Sequence, residues 1–450
     1  MRMRTTLATA VLAALTIPAF ASAADYPPPA DPGKLIVHPG GRAVTLNVCK
    51  TGKKCFRTIQ AAVDKAAPGD VVKVADGTYR EGVRIKGASK SRIRLIGNPK
   101  NPRRVIIEGK GLKPGNPGRG NAVEVNAAND VEINGFYGRN FVRNGFFISN
   151  ATGYTMTNLV AEHDGTYGIF AFNSIGGTIS KSTAYWHNDG GYYIGQTPRQ
   201  SKPKRTFVSN IESYENTLGW SGTNMRYVTI RGSRFFNNGT GMTNDAEVGE
   251  KFAPPEDNVI SGNEFFWNDL NYRKGHPPFQ KASFTAGGVP YPIGTGLLLI
   301  GSWGTRIENN SVYGNSLIGI GLSQGLLVAG QTDKLRTSGG APDADVLKNN
   351  RVTGNRLGLG GRDLNGRDLY YDGNGAGNCF ADNVLTTDSR PVFAPSSPAY
   401  PACPFTGANT FDAAVQGEGV GYVVAAGTGA GQIFHTHVAK KGIKPITGYR

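Results

Sequence analysis

Three of the six histidines, His163, His187 and His276, fall in one stretch rich in Asp, Glu and Asn. His163 is followed by Asp164, His187 by Asn188 and Asp189, and Glu215 lies about one further repeat along. An imidazole one coil, roughly 5 Å, from a carboxylate is oriented by it and has its pKa raised, which suits general acid–base work. His187 is therefore the candidate base, with Asp164 and Glu215 as its orienters and His163 and Asp189 close by. Lys204, Arg205 and Arg226 could neutralise the carboxylate of an acidic sugar. Tyr192, Tyr193 and Trp220 could stack on sugar rings, and Asn224 sits at a recurring amide position. Each residue has a plainer reading: turn chemistry for Asn and Asp, core for the aromatics, surface charge for the basic run.

Asp245, Glu247, Glu250, Glu256 and Asp257 crowd one insertion. Oxygen-rich loops can hold Ca²⁺, although the spacing matches no particular calcium loop. The chain has no Walker loop, GxGxxG, HExxH or GxSxG, so nucleotide, zinc-protease and serine-hydrolase chemistry have no support.

These residues are positioned by a repeat. Aligned on one glycine, Gly145, Gly168, Gly191, Gly219, Gly241, Gly296 and Gly319 recur at spacings of 23, 23, 28, 22, 55 and 23. A period near 23 with three short strands per turn fits one coil of a parallel β-helix, with side chains alternating inward and outward. Asn158, Asn263, Asn310 and Asn355 recur as amide-ladder or turn positions. Leu is too scarce for a leucine-rich-repeat horseshoe, and a propeller blade needs nearly twice the period. Insertions at 196–206, 244–257 and 325–345 follow the marked strand, and 269–293 precedes it. Such loops would wall a groove over one sheet, and loops on a rigid scaffold commonly carry function.

Phe56 to Ala67 reads as a helix, with Thr58 able to cap its start and Pro68-Gly69 to end it. Residues 1–23 read as a secretory signal peptide, 24–54 as a linker and N-terminal segment, 55–404 as the β-helix and 405–450 as a C-terminal cap or tail. No other stretch is long and apolar enough to span a bilayer. An even cysteine count in an exported chain suggests two local disulfides, Cys49–Cys55 and Cys379–Cys403. The net charge of +16 would attract polyanions, and it equally serves plain solubility; the charge alone favours neither strongly.

The string TIQAAVDKAAPGDVVKVADGTYREGVRI, with the repeats behind it, resembles the right-handed parallel β-helix (pectate-lyase-like) superfamily over roughly residues 55–390. The resemblance implies an all-β fold of three-strand coils with an N-terminal capping helix. Members include pectate and alginate lyases, mannuronan C5-epimerases, polygalacturonases and phage tailspikes. Neither the RxPxxR motif of common pectate lyases nor the paired-Asp motifs of polygalacturonases is present, so no catalytic set carries over. The leading expectation is a secreted protein acting on an acidic polysaccharide by lyase or C5-epimerase chemistry. The alternatives are a glycoside hydrolase using Asp164, Asp189 or Glu215, and a non-catalytic carbohydrate-binding or cell-surface scaffold.

Overall fold

The computed structural model describes residues 42–247, 252–270, 272, 291–325, 343–358, 365–385 and 400–428. Each coil contributes one strand to each of three parallel stacks. Stack 1 runs from Thr45–Val48 to Cys379–Ala381, stack 2 from Gly77–Tyr79 to Val384–Leu385, and stack 3, with ten strands, from Val83–Lys86 to Leu369–Tyr371. The result is a parallel β-helix of about eleven coils; crossovers between parallel strands of this kind are right-handed with few exceptions.

The marked glycine is explained by sterics. On successive coils Ile169 pairs with Phe146 on one side and Tyr192 on the other, so Gly145, Gly168 and Gly191 stand over one another. A Cβ on Gly168 would lie 2.7 Å from the carbonyl oxygen of Gly191, and one on Gly219 would lie 2.4 Å from that of Gly241. It would also strike a polar side chain of the next coil: Asp164 at Gly145, His187 at Gly168, Asn216 at Gly191 and Asn238 at Gly219. The glycine column exists because a column of polar side chains needs the space.

That polar column is a ladder at the corner between stacks 2 and 3. The backbone N–H of each member donates to the side chain of the next: Asp164 to His187 at 3.2 Å, His187 to Asn216 at 2.9 Å, Asn216 to Asn238 at 3.1 Å, Asn238 to Asn268 at 3.2 Å. Asn315 and Asn365 continue it. At the corner between stacks 1 and 2, Asn263, Asn310, Asn355 and Asn383 do the same, their amides linked at 2.9–3.0 Å. A buried corner leaves backbone groups that no strand can satisfy, and the asparagine amide satisfies them. Asn158 differs: it sits outside this ladder at φ 51° and bonds Asn134.

A helix forms at Ile59–Lys65, with Thr58 accepting the Ala61 N–H at 3.2 Å. It buries Ile59, Ala62 and Val63 against the first coil. Both expected disulfides are formed, Cys49–Cys55 and Cys379–Cys403. A second helix, Ala413–Thr428, follows the last coil, and the Tyr370 hydroxyl donates to the Val415 carbonyl. No helix among the described residues is long and apolar enough to cross a membrane. The expected signal peptide lies outside the described residues.

Candidate functional site

The structure brings Asp164 beside His187, one coil apart, but places Glu215 in a neighbouring column. His187 is fully buried, and its Nδ1 accepts the Asp164 N–H. Burial pushes its pKa down to about 3, so the ring is neutral. Asp164 is also buried, accepts the Phe141 N–H at 2.9 Å, and has its pKa raised well above the carboxylate range by burial. The two side chains approach to 3.7 Å as rungs of the corner ladder, out of reach of a polymer outside. His187 is thus a rung of the corner ladder, with its ring fully buried.

Glu215 does not stand over His187. The corner before Gly219 is one residue shorter than those before Gly168 and Gly191, and Asn216 takes the ladder position. Glu215 joins the neighbouring outward column, where His163, Trp186, Glu215 and Asn237 all adopt left-handed backbone at φ 54–68°. There the Trp186 indole donates to Glu215 and His163 Nδ1 lies 2.9 Å from the Asn140 amide oxygen.

The basic residues are partly committed elsewhere. Arg226 is buried, donating to Glu256 at 3.1 Å and to the Thr197 carbonyl at 2.8 Å. Arg205 donates to the Asp257 carboxylate at 2.7 Å and to its carbonyl at 3.0 Å. These two arginines tie the 196–206 insertion to the next coils, and only Lys204 of the three is exposed. The same pairs occupy Glu256 and Asp257, which divides the carboxylates imagined as a calcium loop. Among the described residues no group of three His, Cys, Asp or Glu is placed to hold a metal ion; Glu250 lies outside them. Tyr192 and Trp220 point inward and are fully buried, while their neighbour Tyr193 points to the other face of stack 3, where it too is buried, packed against Tyr167 and Phe170.

One sequence-suggested residue, Asp189, feels the charge of Asp245, and both act on Glu247; Asp245 and Glu247 belong to the acidic insertion. Asp189 sits at the corner leading into the strand Gly190–Gly195, half-buried. Burial pushes its pKa up to about 6, the charge of Asp245 adds to this, and a hydrogen bond from Tyr167 opposes it. Asp245 ends the strand Thr240–Asp245, is 8% exposed, and is also pushed up to about 6 by burial, against a 3.2 Å bond from Thr223. Glu247, two residues on, is raised to about 8 by burial and by the charges of Asp245 and Asp189. Asn224 grips Glu247 at both main-chain groups, accepting its N–H at 3.2 Å and donating to its carbonyl at 3.1 Å. Tyr291 feels all three carboxylates and Tyr167 feels Asp189, and burial, first of all, raises the pKa of both phenols. Glu247 feels both aspartates, and Asp189 feels Asp245. Their signal in the sequence was faint: Asp245 closes a marked strand, but its insertion also holds Glu256 and Asp257, which pair with arginine.

No protein-family model and no curated protein matches the chain. Solved structures with a related chain path include the mannuronan C-5 epimerase AlgE6 A-module of Azotobacter vinelandii (17% identity, TM-score 0.47, 74% of this chain and 92% of that one). An alginate lyase from Paenibacillus sp. gives 16% identity, a TM-score of 0.41, and coverage of 77% and 96%. DFA-IIIase from Arthrobacter chlorophenolicus gives 13%, 0.47, 76% and 99%. By its own coil register, this chain is a parallel β-helix, the architecture of the superfamily its sequence resembles.

Proposed function

We propose that the protein hydrolyses a polysaccharide lying along the outer face of stack 3, using Glu247 as general acid and Asp245 or Asp189 as general base. What supports this is that burial raises Asp189, Asp245 and Glu247 alike, and that the charge of Asp245 raises Asp189 and Glu247 further. Near pH 7 the highest of the set keeps its proton and the others have lost theirs, which is the division of labour glycoside hydrolysis needs. Glu247 gives its proton to the glycosidic oxygen as the C–O bond breaks. The ionised aspartate takes a proton from the water whose oxygen bonds to the anomeric carbon.

Uronate elimination or epimerisation needs a reachable base and a cation for the substrate carboxylate. The base expected for it is buried, and two of its three expected cations are paired. Incubation with neutral and uronic polymers distinguishes the readings. Reducing-sugar release that disappears in Glu247→Gln supports hydrolysis, unsaturated product supports elimination, and binding without turnover supports a scaffold protein. The same reading has the protein exported, supported by two disulfides and the expected leader at 1–23.

A further inference from the structure

The charge of the chain is gathered at one end of the β-helix. Residues 42–143, which form the first coils, hold 21 Lys and Arg against 8 Asp and Glu, a net +13. Residues 144–450 hold 25 against 23, a net +2. Most carboxylates of the first coils are already occupied. Asp70 accepts the Val44 and Ala67 N–H groups, and Glu81 accepts those of Ile59 and Gln60. Asp76 pairs with Arg104, Glu108 with Arg139, Glu124 with Lys86 and Glu132 with Arg94, all at 2.6–2.8 Å. The surplus of cations is left to face water.

That surplus converges on the stack 2 side. Thr78, Ile106 and Tyr137 stand in register along its outer face. The insertion at 97–104 enters the strand Val105–Glu108 of this stack, and the insertion at 109–120 leaves it. The first carries Lys100, and its Arg103 guanidinium lies 4.9 Å from the Tyr137 ring centre. The second carries Lys110 and Lys113. Arg139, at the opposite edge, lies 5.2 Å from the same ring. Arg143 is held to the second insertion by its backbone N–H, which donates to the Gly120 carbonyl at 3.0 Å. Arg80 follows Tyr79 as Glu108 follows Ile107, one coil earlier. Arg80, Lys100, Lys110, Lys113 and Arg143 are all exposed, and none pairs with a carboxylate among the described residues.

Cations fixed on a rigid sheet raise the local potential and concentrate a polyanion there. A single-stranded nucleic acid would also need open ring faces for its bases. Tyr137, the ring at the centre of this surface, is 5% exposed and lies under two arginines, so it offers none. Lysine ammonium groups act as point charges with no fixed acceptor geometry, which suits a flexible acidic glycan.

We infer that the stack 2 side of the first coils docks an acidic polysaccharide by charge, at a surface separate from the carboxyl groups of stack 3. Docking involves no bond cleavage, so the inference does not rest on the hydrolytic reading.

The test measures binding of the full chain to heparin, a linear acidic polysaccharide, by interferometry between 50 and 300 mM salt. Binding is expected, and it should weaken steeply as salt rises. Lys110→Glu with Lys113→Glu should weaken it about tenfold or more, and Lys110→Gln with Lys113→Gln by a smaller factor, which covers the case in which the charge reversal disturbs the loop. Arg351→Glu with Arg356→Glu removes the same charge from exposed positions on distant coils and should change affinity by less than about twofold. Equal losses in the two charge reversals would show that binding follows net charge, and would overturn the docking surface. No binding to heparin, or tighter binding to single-stranded DNA than to heparin, would overturn it as well.

Discussion

Asp245→Asn should make the protein more stable at pH 8 and no more stable at pH 4. Burial moves the Asp245 pKa from 3.8 to about 6. The folded state therefore holds this proton more tightly than the unfolded chain does. The stability it lends is fully present below pH ~4 and is lost as the pH rises through ~6. A shift of about two units corresponds to about 3 kcal/mol, the cost of holding the ionised carboxylate in its buried place. Asparagine keeps the shape and carries no charge, so the variant escapes that cost. Relief of the repulsion that raises Glu247 acts in the same direction. The 3.2 Å bond from Thr223 can be kept by the amide oxygen. The assay is the guanidinium denaturation midpoint of both proteins from pH 4 to 8. The variant's advantage should grow between pH 4 and 6 and level off above. An advantage independent of pH, or a loss at pH 8, would show that Asp245 is not a buried carboxylate held ionised at a cost.

His187→Asn should fold and keep whatever activity the wild type has, because asparagine already fills this rung on later coils, whereas His187→Ala should cost about 2–4 kcal/mol by opening a cavity and removing a ladder acceptor. Loss of turnover in a folded His187→Asn protein would return His187 to the mechanism. The pH–rate profile should be bell-shaped, rising through about 6 as the aspartates ionise and falling through about 8 as Glu247 loses its proton; a rate that keeps climbing past pH 9 would exclude Glu247 as the acid. Arg226→Ala should destabilise by about 3–5 kcal/mol, since it removes a buried cation that joins Glu256 to the 196–206 insertion. Thermal unfolding and limited proteolysis within that insertion read this directly, and unchanged values would contradict the clamp.

The coil register was legible because it has a steric cause. A glycine column facing neighbouring backbone admits no other residue, so it survives as a visible mark when loops between coils change length. The same mark misled at Glu215. Asp164, His187 and Glu215 each lie four residues before a marked glycine, but the corner before Gly219 is one residue shorter than the other two, so the same offset falls in a different column. A slip of one residue moved a carboxylate from the buried column to the outward one.

Inside and outside were also hard to tell around Tyr192 and Tyr193. Adjacent aromatics occupy both faces of the strand, and composition does not say which ring faces out. His187 looked chemical because histidine is rare, yet its imidazole serves as one more acceptor in a column of amides. Asp245 and Glu247 were hidden for the opposite reason. They share an insertion with acidic residues that pair with arginine, and only three-dimensional burial distinguishes the two groups.

The most direct measurement is a site-resolved ¹³C titration of the side-chain carboxyl groups, with Asp189→Asn, Asp245→Asn and Glu247→Gln used for assignment. The account predicts that Glu247 is still largely protonated at pH 7 while Asp245 and Asp189 titrate near 6. If all three have ionised by pH 5, the groove holds no proton donor at neutral pH, and the acid–base reading of this face of the β-helix is wrong.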